Sequence, residues 1–95
     1  PRTGKRHDDK KEFQKRALTF KNEVKKCEER LEKLQIMKRK VADILSNQDL
    51  YSNDKLKELE NWNKKYSEIN EAIKRAEDLW IQAQEKLENF VLSAG

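Results

Sequence analysis

Two long heptad runs, separated by a single break, constrain this chain more than any other feature. In the first run Phe13, Ala17, Phe20, Val24, Cys27, Leu31, Leu34, Lys38, Val41 and Leu45 follow a 4-3-4-3 spacing without exception. In the second, Leu59, Trp62, Tyr66, Ile69, Ile73, Ala76, Trp80, Ala83, Leu87 and Phe90 follow 3-4-3-4. A stripe that recurs every 3.5 residues keeps facing one partner helix, which is the requirement of a coiled-coil seam. Neither run contains glycine or proline to interrupt it. Between them lies SNQDLYSND, Ser46–Asp54, rich in turn and cap residue types. The pattern predicts an all-α fold, a two-helix antiparallel coiled-coil hairpin. Its first helix is expected over about 9–46, the tip over 47–53 and the second helix over about 54–92.

The two runs also predict their own register. Folded at the tip, residues pair when their numbers add to about 104. Ala17 then faces Leu87, Phe20 faces Ala83, Val24 faces Trp80 and Cys27 faces Ala76. Leu31 faces Ile73, Leu34 faces Ile69, Val41 faces Trp62 and Leu45 faces Leu59. Large sits opposite small in several layers, as interdigitated packing requires. A parallel pairing of two chains does not explain this match, so a monomer is expected. Lys38 is the one charged seam residue, and the register sets it opposite Tyr66, where its methylenes can lie over the ring while the ammonium reaches water. Cys27 reads as a small buried hydrophobe. Asp8 or Asp9 is expected to cap the first helix, and Ser52, Asn53 or Asp54 the second.

Residues 1–8 hold the only proline, one of the two glycines and no apolar periodicity, and read as a flexible basic linker. Residues 93–95 read as a tail. His7 stands without a ligand set around it, so no metal site is expected. The chain is 42% charged and 35% hydrophobic, enough apolar residues for a narrow seam but not for a wide core. No apolar run approaches the roughly 20 residues that cross a bilayer, and no membrane partner is expected. One cysteine allows no internal disulfide, in keeping with a reducing, cytoplasmic location.

Function is read first from charge. Residues 1–47 carry 15 Lys and Arg against 8 Asp and Glu, a balance of +7, while residues 48–95 carry 7 against 10, a balance of −3. With Ala17, Val24 and Leu31 at heptad position a, Lys11, Lys25 and Arg39 fall at b, and Lys26, Lys33 and Lys40 at c. These six form a stripe along one outer side of the first helix, thickened toward its start by Lys5, Arg6, Lys10, Lys15 and Arg16. Such a stripe can follow a phosphate backbone and bind nucleic acid, giving affinity with little sequence selectivity. The tip offers a second contact surface in Leu50 and Tyr51, which lie outside both heptads. They either fold back over the open end of the seam near Leu45 and Leu56 or meet a partner protein at the end of a long arm. Leu18, Ile36 and Ile81 point away from the seam, and Met37, Ile44 and Leu79 flank it. No Gly-rich phosphate loop, nucleophile with a base or ligand cluster appears, and Glu28-Glu29 read as a solvated face. Neither catalysis nor a cofactor is expected of this chain.

One stretch carries a resemblance. In VADILSNQDLYSNDKLKELENWNKKYSEINEAIKRAEDLWIQAQEKLENF, Asp49, Leu50 and Tyr51 make a D-x-x-L-Y-like tip, and Trp80 follows about 30 residues later in the second helix. This resembles the C-terminal coiled-coil domain of ABC-F proteins of the Uup and YheS kind, ATP-binding-cassette ATPases that act on ribosomes rather than membranes. The resemblance covers about residues 10–92. It implies that the ATPase cassettes of the same parent chain precede residue 1, with ATP hydrolysis located there. The hairpin would then be an accessory domain that helps the ATPase hold DNA or ribosomal RNA.

Overall fold

In a computed structural model, which describes the backbone of residues 2–94 and the side chains of residues 9–93, the chain forms two long helices joined by a compact tip. Helix α1 spans Arg2–Leu45 and helix α2 spans Leu56–Ala94. Two 3₁₀ turns, Gln48–Tyr51 and Asn53–Lys55, make the connection. The helices lie antiparallel in an elongated hairpin of 79 × 16 × 15 Å. Its radius of gyration is 21.9 Å, against about 12 Å for a compact domain of this length. This is the all-α two-helix hairpin that the heptads predict.

Every seam position named from the heptads is buried or half-buried except Phe13, which is 36% exposed. The buried residues are Ala17, Val41, Leu50, Ile69, Ile73, Ala76 and Ala83. Val41, Ile69 and Ile73 form the densest cluster, with Leu31, Leu34, Leu45, Trp62 and Tyr66 packed around it. Bulky aliphatics therefore concentrate in the half of the seam nearer the tip. In the other half alanines at 17, 76 and 83 make room for large neighbours. There the Phe13 and Phe90 rings stack at 5.1 Å between centroids, and Phe20 meets Phe90 at 5.0 Å with the rings tilted by 37°. Lys38 sets its Nζ 5.9 Å from the centre of the Tyr66 ring, the partner that the register assigns to it. Cys27 is free and half-buried in the seam.

The ends of the helices differ from expectation. Helix α1 is already helical at Arg2, ahead of the expected start near Asp9. A single glycine, Gly4, costs a helix only about 1 kcal/mol, and extending an established helix avoids the nucleation penalty. Asp8 and Asp9 thus lie inside α1 and neither caps it. Helix α2 runs to Ala94, past the expected end at Leu92. At the tip Ser52 takes the extended backbone of a cap, with φ −73° and ψ 153°, and the Lys55 amide donates to its carbonyl at 3.0 Å.

Candidate functional site

The tip is a short polypeptide path with most of its polar groups engaged. The last turn of α1 tightens, with the Ser46 amide shared between the carbonyls of Ala42 (3.0 Å) and Asp43 (3.3 Å) and the Asn47 amide donating to Ile44 at 3.1 Å. The Ser46 hydroxyl donates to the Asp43 carbonyl at 2.7 Å. Asn47 then opens the first 3₁₀ turn by accepting from the Asp49 amide at 3.1 Å, the local bond for which asparagine favours such places. Leu50 turns inward and is 7% exposed. Tyr51 folds back so that its hydroxyl donates to the Leu45 carbonyl at 2.7 Å, one of the carbonyls that a helix end leaves without an internal partner.

The Ser52 hydroxyl lies 2.6 Å from an Asp54 carboxylate oxygen and 3.1 Å from the Asp49 carbonyl. It has one proton, and the short contact to a charged oxygen is the stronger claim on it. That bond, helped by the Asp54 backbone amide and by Lys55, holds the Asp54 carboxyl below its ordinary value of 3.8.

Leu50 and Tyr51 therefore both fold back toward the seam, but with different results. Leu50 is consumed as core. Tyr51 anchors only its hydroxyl, and the residue stays 56% exposed. Leu56, expected near the closure of the seam, is also 56% exposed. Its heptad position is e, one place away from the seam positions, and that is the signal that marks it as a second apolar group at the tip.

The basic residues lie as expected on the surface. Lys10, Lys11, Lys15, Arg16, Lys25, Lys26, Lys33, Arg39 and Lys40 are all exposed on α1. Lys5 and Arg6 lie outside the residues whose side chains are described. Arg16 reaches Glu12 one helical turn away, at 3.6 Å between Nε and Oε1, with both side chains 66% exposed. An exposed pair of this kind contributes under about 1 kcal/mol. It is the only ion pair among the described residues, so the other described cations of the stripe have no described carboxylate within 4.0 Å.

Of the remaining surface residues, Leu18, Ile36 and Ile81 are exposed by 57%, 39% and 46%. Met37 and Leu79 are 45% and 48% exposed, while Ile44 is half-buried. No three His, Cys, Asp or Glu among the described residues converge as a metal site would require. None of the described helices is long and apolar enough to cross a membrane. The geometry thus defines an elongated helical hairpin with two exposed apolar side chains, Tyr51 and Leu56, at the tip end and a row of exposed cations along α1. The chain matches no protein-family model, no curated protein and no solved structure.

Proposed function

We propose that this chain is a non-catalytic protein-interaction arm, in which the hairpin is a stiff spacer and the tip meets a partner protein. One observation carries the reading. Tyr51 and Leu56 leave more than half of their surface in solvent on a tip whose backbone is held by the Asn47 and Tyr51 side-chain hydrogen bonds and by the Lys55 amide on the Ser52 carbonyl. A pre-ordered aromatic and aliphatic pair loses little entropy on binding, and aromatic anchors of this type dominate many protein interfaces. If the resemblance to the C-terminal hairpins of cytoplasmic ABC-F ATPases holds, the arm is carried beside cassettes elsewhere in a longer chain, and that resemblance itself implies nucleic acid as the partner, the second reading below.

The test is a photo-crosslinking amino acid placed at position 51, compared with the same group at Glu68 on the side of α2. Discrete adducts from the tip and not from the side are expected, and Leu56→Ala should remove them. Equal labelling from both positions would overturn the reading.

A second reading, nucleic-acid binding, is supported by the eight described stripe cations that have no carboxylate partner among the described residues. Lys25, Lys26, Arg39 and Lys40 are exposed, so replacing all four by Glu should leave the fold nearly intact. If the stripe follows a phosphate backbone, RNA and DNA affinity should fall by orders of magnitude and the salt dependence should flatten. Unchanged binding by the folded variant would reduce the stripe to a solvated face.

A further inference from the structure

The two sides of the seam are not alike. In a two-stranded coil the positions beside the seam, e and g, are ordinarily polar or charged. On one side of this hairpin that holds, with Glu28 and Gln35 of α1 and Asn70 and Glu77 of α2 at e. At the same levels of the other side the g residues are Arg30 and Met37 of α1 and Ala72 and Leu79 of α2. Met37 is 45% and Leu79 48% exposed, so the seam consumes neither. Leu79 stands between two adjoining hollows and lines both. One, of about 180 Å³, has Leu34, Ala72 and Ala76 in its lining with the exposed Arg30 and Arg75. The other, of about 260 Å³, has Cys27 and Ala83 with the exposed Glu23, Lys26 and Lys86. Together they form a trough along α2 from Ala72 to Lys86, about 21 Å long at about 1.5 Å per residue. The alanines keep its floor low, which leaves room for large side chains from outside.

From these features we infer that the trough binds an amphipathic helix of a partner protein whose apolar stripe is flanked by carboxylates. Shape and charge both select this occupant. A straight trough of that length takes about two heptads of a helix, and apolar residues at every third or fourth position would enter the hollows on either side of Leu79. The charged groups lining the two hollows are Lys26, Arg30, Arg75 and Lys86 against Glu23 alone. None of them is in an ion pair among the described residues. Carboxylates beside the incoming stripe would meet these cations while the stripe covers Leu79. A second copy of the chain presenting the same face would set cations against cations, and charge opposes it. A phosphate backbone would meet the cations but bring nothing apolar to Leu79. Arg30 and Arg75 also lie outside the stripe of cations considered for nucleic acid. The trough is separate from the tip, and the inference does not rest on what the tip binds.

The experiment titrates the hairpin into a fluorescent helical peptide and follows anisotropy. The probe is a capped peptide of about three heptads, with one leucine and one alanine per heptad on its apolar side and glutamates beside them. A second peptide carries lysine in place of every glutamate. The glutamate peptide should bind about tenfold more tightly than the lysine peptide, or better. Leu79→Ala should weaken it about tenfold, and Arg30→Gln with Arg75→Gln about as much. Ile81→Ala, on the opposite side of the seam, should leave it unchanged. All these side chains are exposed, so circular dichroism should show the same helicity in every variant. Equal binding of the two peptides, no binding, or an equal loss with Ile81→Ala and Leu79→Ala would overturn the inference. So would binding that follows the arginines and ignores Leu79, since the trough would then be a plain anion surface of the kind a nucleic acid uses. A dimer in sedimentation that Leu79→Ala dissolves would also overturn it, because a second copy of the chain would then be the occupant.

Discussion

Replacing Ile73 by alanine tests whether the seam near the tip holds the hairpin together. Ile73 is 6% exposed and packs with Val41 and Ile69 at the densest point of the molecule. The change deletes three carbons, about 2.4 kcal/mol of transfer free energy at about 0.8 kcal/mol each. A cavity term normally adds to this. Here two helices enclose the site from two directions only, so neighbours and water can relax into the space and the added term stays small. The expected loss is about 2–3 kcal/mol, the low end of the range for such truncations. Ile81→Ala is the control. That side chain is already 46% exposed, and its loss should cost under about 1 kcal/mol. Urea unfolding followed by far-UV circular dichroism compares the two, read as a midpoint shift at constant slope. Against a total stability of about 5–15 kcal/mol the difference is easily resolved. If Ile73→Ala shifts the midpoint no further than Ile81→Ala, the helices are not held by this seam in solution.

Tyr51→Phe should lower stability by about 0.5–1.5 kcal/mol, through loss of the bond to the Leu45 carbonyl. It keeps the exposed ring, so contacts made by the tip should survive, and a thermal melt checks the first point while crosslinking from position 56 checks the second. Asp54 has a folded-state pKa held below 3.8, chiefly by the Ser52 hydroxyl. Its contribution to stability is therefore complete above pH 3.8 and is lost as the pH falls below that value through the folded-state pKa. Asp54→Asn should flatten the acid limb of stability against pH, and parallel curves for the two proteins would contradict this. Phe13→Ala removes the outermost ring of the Phe13–Phe90 stack, so amide exchange should quicken at the end of the hairpin away from the tip while the urea midpoint barely moves.

Much of this fold was legible because one period governs the chain. The seam residues from Ala17 to Phe90 are those that the 4-3 spacing selects, and the Lys38–Tyr66 contact at 5.9 Å is the pairing its register assigns. Phe13 was placed in the seam, yet it remains 36% exposed. It lies at the open end, where the partner helix covers only one side of it. The helix ends were less legible. A heptad says where a helix faces, not where it stops, and stopping depends on caps and propagation that weigh about 1 kcal/mol each. The tip was legible as a turn, but its division of labour was not. Periodicity cannot show that Leu50 is buried, because it lies where the repeat is interrupted, whereas the e position of Leu56 does set that side chain one step off the seam. The stripe on α1 was placed correctly on the surface, since b and c positions of an isolated hairpin have nothing to cover them.

A regular coiled coil offers a binding partner very little, because each turn of its surface resembles the next. Selectivity must come from departures from the pattern, and here these fall into two groups. Some departures find an internal partner. Lys38 lies over Tyr66, and the Tyr51 hydroxyl meets the Leu45 carbonyl. Such residues are explained by the fold itself. Others find none. The Tyr51 ring and Leu56 face water at the tip, and the shielded Trp80 indole N–H has no acceptor among the described residues. An exposed apolar group gains from being covered, and a buried donor gains from finding an acceptor. The two differ in place and chemistry, one apolar and exposed at the tip, the other a shielded donor beside the seam. They are therefore separable, and Leu56→Ala should remove crosslinking from the tip while leaving the Trp80 indole N–H cross-peak of the ¹⁵N-labelled hairpin unmoved; a shift of that cross-peak would show that the two are coupled through the seam.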